Sequence, residues 1–580
     1  MKKLKFTLIL FTGLLAINFA YAQSMADGKR MLYYEKFISA KNIFQQIITA
    51  DPANDEAVYW LGQALIGPEE EKDIAGARAV YEKGLAANPN SALLNAGLGH
   101  VELLESKTQQ ARNHFETAIS LMNKNNSIDV LDAVGVANGD FDSKLGDGAY
   151  AVEKLIQATE TKRFKDAKVM TDLGDAYRKQ NRGGEAQTAY EEALKMDPTY
   201  ARAKFRIGRI YQSQGRTQEA IYLNYYNETM ALDPKYTRVY WILHQYYYET
   251  DVVKSAAYLD KYLGAKGSDE TNSCFLNAQM KFAQGLYAET IASAENCIAA
   301  STTPYPNLYG LIAYANYSTG VKQEKAGDTL SAMANFGKSK AGFDMYFKKQ
   351  KPDKLGGGDY EIYAKTLLKF PGNEALAGTF IDKAAEMDTT EEGKVKLLKS
   401  VATNFQSAKM YGDAAEWFKK IVNIKRDPTK TDYYYAGIAY YQAKQYPDAI
   451  AMFDKYLNKY PDDIIPYYYK GAALAGIDTL MVDSLAYNTY KKAAEVGEAT
   501  TDKSRIISLI KGSYRYLIIY AANTLKDKEL ALAYCDKSLL IDPTDTDTIG
   551  FRESISKMTV QKSPTPEPKK KTPAPQPKKK

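Results

Sequence analysis

Residues 430–463, KTDYYYAGIAYYQAKQYPDAIAMFDKYLNKYPDD, constrain the chain more than any other stretch. With Lys430 as position 1, Tyr433 falls at 4, Ala436 at 7, Gly437 at 8, Tyr440 at 11, Ala449 at 20, Phe453 at 24 and Pro461 at 32. The small Gly437 and Ala449 let two antiparallel helices approach closely, and Tyr440 and Phe453 fill the space that remains. Pro461 stops the second helix, because it has no amide donor and its ring clashes with the preceding turn.

The same anchors recur along most of the chain. Positions 20, 24 and 27 are Ala40, Phe44 and Ile47 in a first unit and Ala77, Tyr81 and Gly84 in a second, which carries an insertion near Gly67-Pro68. Ala111/Phe115/Ala118, Ala151/Leu155/Ala158 and Ala186/Tyr190/Ala193 follow. The sixth unit has Ile207, Gly208, Tyr211 and Ala220, with Pro234 arriving late; the seventh is degenerate. The eighth has Thr290, Ala294 and Cys297, and the ninth Ala332 and Phe336 after a longer loop. Five more units carry Ala377/Ile381/Ala384, Ala414/Phe418/Ile421, Ala449/Phe453/Tyr456, Ala486/Tyr490/Ala493 and Ala531/Cys535/Ser538.

In spacing and residue type this unit resembles the tetratricopeptide repeat (TPR), whose period is about 34 residues. The resemblance covers residues 27–545. It implies an all-α fold, a TPR-type α-solenoid forming a right-handed superhelix of about fourteen helix–turn–helix repeats. A last helix near Thr548–Lys557 is expected to cap the open apolar end. Such an array explains how 580 residues fold without one oversized core, since each repeat packs only on its neighbours. The run KPDKLGGGD interrupts the pattern, and three glycines in a row do not continue a helix cheaply. The expected organisation is therefore a signal peptide 1–22, an N-terminal array 23–351, a Gly-rich hinge 352–359, a C-terminal array 360–560 and a disordered tail 561–580.

The leader has Lys2, Lys3 and Lys5, an uncharged apolar run from Phe6 to Phe19, and Ala20-Tyr21-Ala22 as a cleavage site. The mature chain is expected to start at Gln23 and to work in the periplasm, soluble or peripheral to a membrane. The net charge of +6 is misleading. The tail and leader hold that excess of lysine, and the segment between them is mildly acidic, without a field suited to nucleic acid. The Pro/Lys-rich tail suits weak tethering to anionic membrane or glycan surfaces, or acts only as a solubilising arm.

No phosphate-binding loop, zinc-ligand pair or nucleophile motif is present in the sequence. Gly356-Gly357-Gly358 lacks the Lys-Ser/Thr of a nucleotide loop, and His100 with His114 lack a third ligand. The expectation is a protein without enzymatic activity, cofactor or metal: a scaffold or adaptor of the cell envelope that binds peptide segments or helices of other envelope proteins.

In the family resembled, positions 2, 5, 9, 12 and 13 of each first helix line the concave face. Here they imply a basic patch, Arg178 and Lys179 with Arg202, Phe205 and Arg209, and an aromatic one, Tyr434, Tyr441 and Tyr468. Tyr and Arg are enriched at interface hot spots. Two other readings stand beside this one. Tyrosine-lined grooves also hold carbohydrate or cell-wall glycan, and the 46 tyrosines equally serve as filling between helices.

Cys274 and Cys297 occupy positions 4 and 27 of one repeat and should face each other. An exported protein permits a disulfide, but helix axes 8–10 Å apart compete with the roughly 7 Å Cα limit of a bridge. Five sites read Asp, then Ser or Thr, then an aliphatic residue or Thr, at Thr329, Thr389, Thr479, Ser484 and Thr548. They resemble a periplasmic O-glycosylation consensus of some Gram-negative bacteria. The same residue types are also preferred helix N-caps.

Overall fold

The computed structural model describes residues 25–68, 72–141, 143–162 and 164–558. The signal peptide and the lysine-rich tail expected from the sequence lie outside them. The described residues are helical throughout, with no strand, and no helix among them is long and apolar enough to cross a membrane. The chain divides after Tyr305 into two compact units.

The N-terminal unit contains eight helical hairpins. They are α1 (25–33) with α2 (Phe37–Ala50), α3 (Asp55–Ile66) with α4 (Ile74–Ala87), α5 (Ala92–Leu104) with α6 (Thr108–Leu121), and α7 (Ser127–Gly139) with α8 (Gly148–Thr159). Next come α9 (Ala167–Lys179) with α10 (Gly183–Met196), α11 (Ala201–Ser213) with α12 (Glu219–Leu232), α13 (Thr237–Tyr247) with α14 (Val252–Lys266), and α15 (Ser273–Ala283) with α16 (Tyr287–Ala300). The C-terminal unit has α17 (Asn307–Lys325) with α18 (Thr329–Lys349), α19 (Gly357–Leu367) with α20 (Glu374–Met387), and α21 (Glu391–Ser407) with α22 (Tyr411–Ile424). It continues with α23 (Lys430–Gln442) and α24 (Tyr446–Lys459), α25 (Ile464–Ile477) and α26 (Leu485–Ala499), α27 (Ile507–Asn523) and α28 (Lys528–Ile541), and the single helix α29 (Thr546–Ser556).

The anchors explain the hairpins. Phe44, Tyr81, Phe115, Leu155, Tyr190, Phe336 and Phe453, all at position 24, are fully buried, each contributing roughly 2–3 kcal/mol by leaving water. Their rings lie where a side chain at position 8 of the facing helix would be, which is why glycine stands there: Gly99 under Phe115, Gly208 under Tyr226, Gly437 under Phe453. The turns closing many first helices have a residue of positive φ, filled by glycine at Gly215, Gly285, Gly327 and Gly372 and by polar residues at Asn181, Lys409 and Lys444. Asp-Pro pairs end several second helices, with the aspartate folding the chain back: Asp197 accepts from the Thr199 amide at 2.8 Å and Asp233 from Lys235 at 3.0 Å.

Two expectations are corrected. In the sixth repeat Ala220 is exposed; the buried anchors are Tyr222, Tyr226 and Thr229, because the turn Arg216–Gln218 adds two residues before the second helix. The Gly-rich segment 352–359 is not the place where the chain divides. Leu355 is buried in one core with Phe343, Tyr346, Tyr360 and Tyr363. Gly356 and Gly357 start α19; the Gly356 amide donates to Asp359 at 2.8 Å, and Tyr314 donates to the same carboxylate at 2.7 Å.

Within the N-terminal unit the turn of the first hairpin docks far along the array. Tyr33 packs between Tyr200 and Tyr236, with ring centroids 5.5 and 5.4 Å away. Lys266 donates to the Glu35 carbonyl at 2.6 Å, and Asp269 accepts from the Ser39 amide at 2.8 Å. The first repeat thus closes against the sixth and seventh.

Candidate functional site

First helices of successive repeats pack on one another through α3, α5, α7, α9 and α11, and again through α23, α25 and α27. The inner face is therefore built from first helices, and the expected groove residues can be located on it.

In the N-terminal unit the expected basic patch is a closed chain of charge. Lys168 bridges Asp132 at 2.5 Å and Asp172 at 2.8 Å. Arg202 bridges Asp172 at 2.7 Å and Asp175 at 2.8 Å, and Arg206 reaches Asp175 at 2.9 Å. Tyr190 donates to the remaining Asp175 oxygen at 2.6 Å. Against the opposing effect of burial, Arg202 and Lys168 hold the Asp172 carboxyl down at about 2. Burial pushes Asp132 upward, since Lys168 is shared with Asp172. Three carboxylates and three cations pair with each other here, although Asp132 Oδ1 and Arg206 Nε stay buried without a hydrogen bond; Arg202 itself is held by two carboxylates. Lys179 donates to the carbonyls of Asp140, Ser143 and Leu145 at 2.6–2.8 Å and holds that loop. Arg178 lies on Phe141, 3.8 Å from the ring centroid, and Arg209 donates to Gln212 at 3.3 Å. Phe205, at 1 % exposure, is core rather than groove. Counting basic residues by position gave no weight to Asp175, which stands at position 9 of the same helix, and left out Asp172 one turn before it.

In the C-terminal unit the three expected tyrosines come together. Tyr434, Tyr441 and Tyr468 are half-buried, and all three lie against Tyr469, with centroids 6.0, 6.2 and 5.2 Å away. Tyr469 also stacks over Phe453. Burial, and then the neighbouring Tyr434, pushes the Tyr469 hydroxyl up to about 12, so that ring is a neutral phenol near pH 7. From Tyr468 the series continues to Tyr490 at 5.7 Å, Tyr516 at a further 4.5 Å, and through Tyr520 to Tyr487. An open cavity of about 440 Å³ adjoins Tyr434 and Tyr469, with Lys430 and Thr431 on one wall and Arg505, Ser508 and Leu509 on the other. Tyr469 was missed because Tyr467, Tyr468 and Tyr469 are consecutive, and only packing decides which ring turns into the ladder.

Cys274 and Cys297 are joined by a disulfide, their Cα atoms 6.0 Å apart; small residues on the two helices permit that approach. Cys535 is a buried free thiol, pushed up to about 11 by burial. Thr329, Thr389, Thr479 and Ser484 are exposed. Thr548 is not: it is 2 % exposed and donates to Asp545 at 2.5 Å, so a sugar there would break the α28–α29 packing. The N-cap explanation fits Asp328, which accepts from the Ser331 amide, and fits Asp478 less well, which folds a turn by accepting from Val482 and Asp483. His114 pairs with Glu102 at 2.7 Å, and among the described residues no group of three His, Cys, Asp or Glu side chains could hold a metal ion.

Family models described as tetratricopeptide repeat match residues 32–92 and 171–236 and, separately, 433–463. No curated protein matches the chain. Among solved structures, the chain is similar to the C-terminal part of a TPR repeat-containing protein from Cytophaga hutchinsonii, at 25 % identity over 48 % of this chain and 98 % of that one, with a TM-score of 0.30. A tetratricopeptide repeat protein from Parabacteroides merdae is 21 % identical over 48 % and 99 %, with a TM-score of 0.33. YrrB, described as a TPR protein with an unusual peptide-binding site, is 19 % identical over 33 % and 92 %, with a TM-score of 0.21.

Proposed function

Since the chain is a tetratricopeptide repeat protein, we propose that it is a non-enzymatic scaffold of the bacterial cell envelope that receives peptide segments of partner proteins on the tyrosine-lined inner face of its C-terminal unit. The observation that carries this reading is the convergence of Tyr434, Tyr441 and Tyr468 on Tyr469 beside an open cavity. Rigid aromatic surface gives large contact area at little cost in side-chain entropy. The glycan reading is the second one: Tyr434, Tyr441 and Tyr468 meet Tyr469 edge to face rather than as a row of open flat faces. The N-terminal unit has a structural role in this scheme, its Arg202 and Lys168 being held by Asp132, Asp172 and Asp175.

The placement in the envelope rests on the leader 1–22 with its A-x-A site, and a disulfide between Cys274 and Cys297 accords with an oxidising compartment. Binding of the mature protein to peptide arrays, compared with purified cell-wall glycan, tests the function. The expected result is peptide binding that Tyr434→Ala with Tyr469→Ala abolishes. Glycan binding that survives the double substitution would overturn it. Amino-terminal sequencing from a periplasmic extract should begin at Gln23.

A further inference from the structure

The cavity beside Tyr434 has one uncompensated charge. Lys430 pairs with Asp463 at 2.9 Å, and Asp463 also accepts from Tyr456 at 3.1 Å and from the Ile465 amide at 3.1 Å. That pair is neutral, and its carboxylate takes three hydrogen bonds. Arg505, on the opposite wall, is exposed and has no carboxylate partner among the described residues. It stands just before α27, whose first turn has no side-chain cap, so the local field from the helix end is positive as well. Between the two charged walls lie the rings of Tyr434 and Tyr469, with Leu509 beside Arg505.

A planar guanidinium beside an aromatic floor selects a carboxylate attached to an apolar or aromatic body. We propose that this cavity is a specificity pocket for an acidic side chain next to an aromatic residue in an extended partner segment: the carboxylate pairs with Arg505 while the neighbouring ring packs on Tyr434 and Tyr469. The occupant comes from another protein. The chain's own stretch 561–580 carries seven lysines against one glutamate, the same sign as Arg505. The inference rests on the peptide-binding reading above and names what that groove selects.

The test uses fluorescein-labelled, C-terminally amidated decapeptides containing Glu-Phe-Glu, and the same peptides with Gln-Phe-Gln, titrated with the mature protein at low salt. The wild-type protein should bind the glutamate peptide about tenfold more tightly, the amount a single charge-assisted pair at an exposed site supplies. Arg505→Gln should bind both peptides equally and weakly, with an unchanged circular dichroism spectrum. Tyr434→Ala with Tyr469→Ala should bind neither. If Arg505→Gln still prefers the glutamate peptide as strongly as wild type, the pocket assignment is wrong while groove binding stands. If wild type binds the two peptides equally, the acidic specificity is wrong. If neither peptide binds at any concentration, the groove reading falls with it.

Discussion

Gly437→Ala tests the packing logic of every repeat. A Cβ at 437 would sit 2.5 Å from Cε1 and 2.7 Å from Cζ of Phe453, against an ordinary carbon–carbon contact of about 3.5–4.0 Å. The ring would have to retreat by about 1 Å. It has nowhere to go, because Phe453 is fully buried and Tyr469 stacks on its far side. Overpacking of this kind costs about 1–3 kcal/mol, from which the helix preference of Ala over Gly returns at most about 1 kcal/mol. The net expectation is a loss of about 1–2 kcal/mol, a fall of roughly 2–6 °C in the melting of the C-terminal unit. Gly337→Ala is the control: it lies inside α18 with open space where the Cβ would go, so only the helix preference acts and the melting temperature should rise. In a double-mutant cycle, Phe453→Leu should remove most of the penalty of Gly437→Ala, giving a coupling of about 1 kcal/mol. Differential scanning calorimetry on the four variants supplies the numbers. If Gly437→Ala melts at or above the wild-type temperature, the argument that position 8 is glycine because of the facing ring is refuted.

Asp175→Ala leaves Arg206 without a carboxylate and strands the Tyr190 hydroxyl, so the N-terminal unit should lose about 3–5 kcal/mol, read by urea denaturation followed by circular dichroism. His100 is held down at about 4 by burial, below its value in the unfolded chain. The unfolded state therefore binds the extra proton between about pH 6.5 and 4; stability is full above 6.5 and declines as pH falls through that window, by up to about 3 kcal/mol. His100→Gln should remove that part of the acid sensitivity in thermal melts at pH 7 and 4.5. Thiol titration of the denatured, unreduced protein should find one reactive group, Cys535, rather than three, and the native protein should show none at neutral pH because that thiol is buried. Intact mass of protein purified from its native envelope should exceed the cleaved polypeptide if Thr329, Thr389, Thr479 or Ser484 is glycosylated. Thr329→Ala should then remove one increment, whereas Thr548→Ala should change stability and not mass.

The hairpins were legible because their rule is local. An aromatic residue at position 24, a glycine sixteen residues before it and a turn between them need only their own stretch of chain, so Gly437 with Phe453 and Gly174 with Tyr190 could be read directly. The disulfide partners followed from the same register, although only the packed helices decided that the 6.0 Å separation permits a bridge. Register failed where two extra residues in the Arg216–Gln218 turn moved the anchors to Tyr222 and Tyr226. Anything set by neighbouring repeats was beyond reach. Position alone marked Arg202 as a groove cation, yet it is paired with Asp172 and Asp175 on the preceding first helix. Glycines at 356–358 suggested where the chain divides, yet the division falls between Tyr305 and Pro306, while Leu355 is buried and Tyr314 bonds Asp359. No local pattern could show that Tyr33 would close against Tyr200 and Tyr236, since that contact depends on the accumulated rotation of the repeats between them. The chain alone determined that it would be a solenoid of fourteen hairpins, because each needs only nearest-neighbour burial. Tertiary structure alone decided which charges remain free and which tyrosines share one surface, because both depend on what adjacent first helices place within a few ångströms of each other.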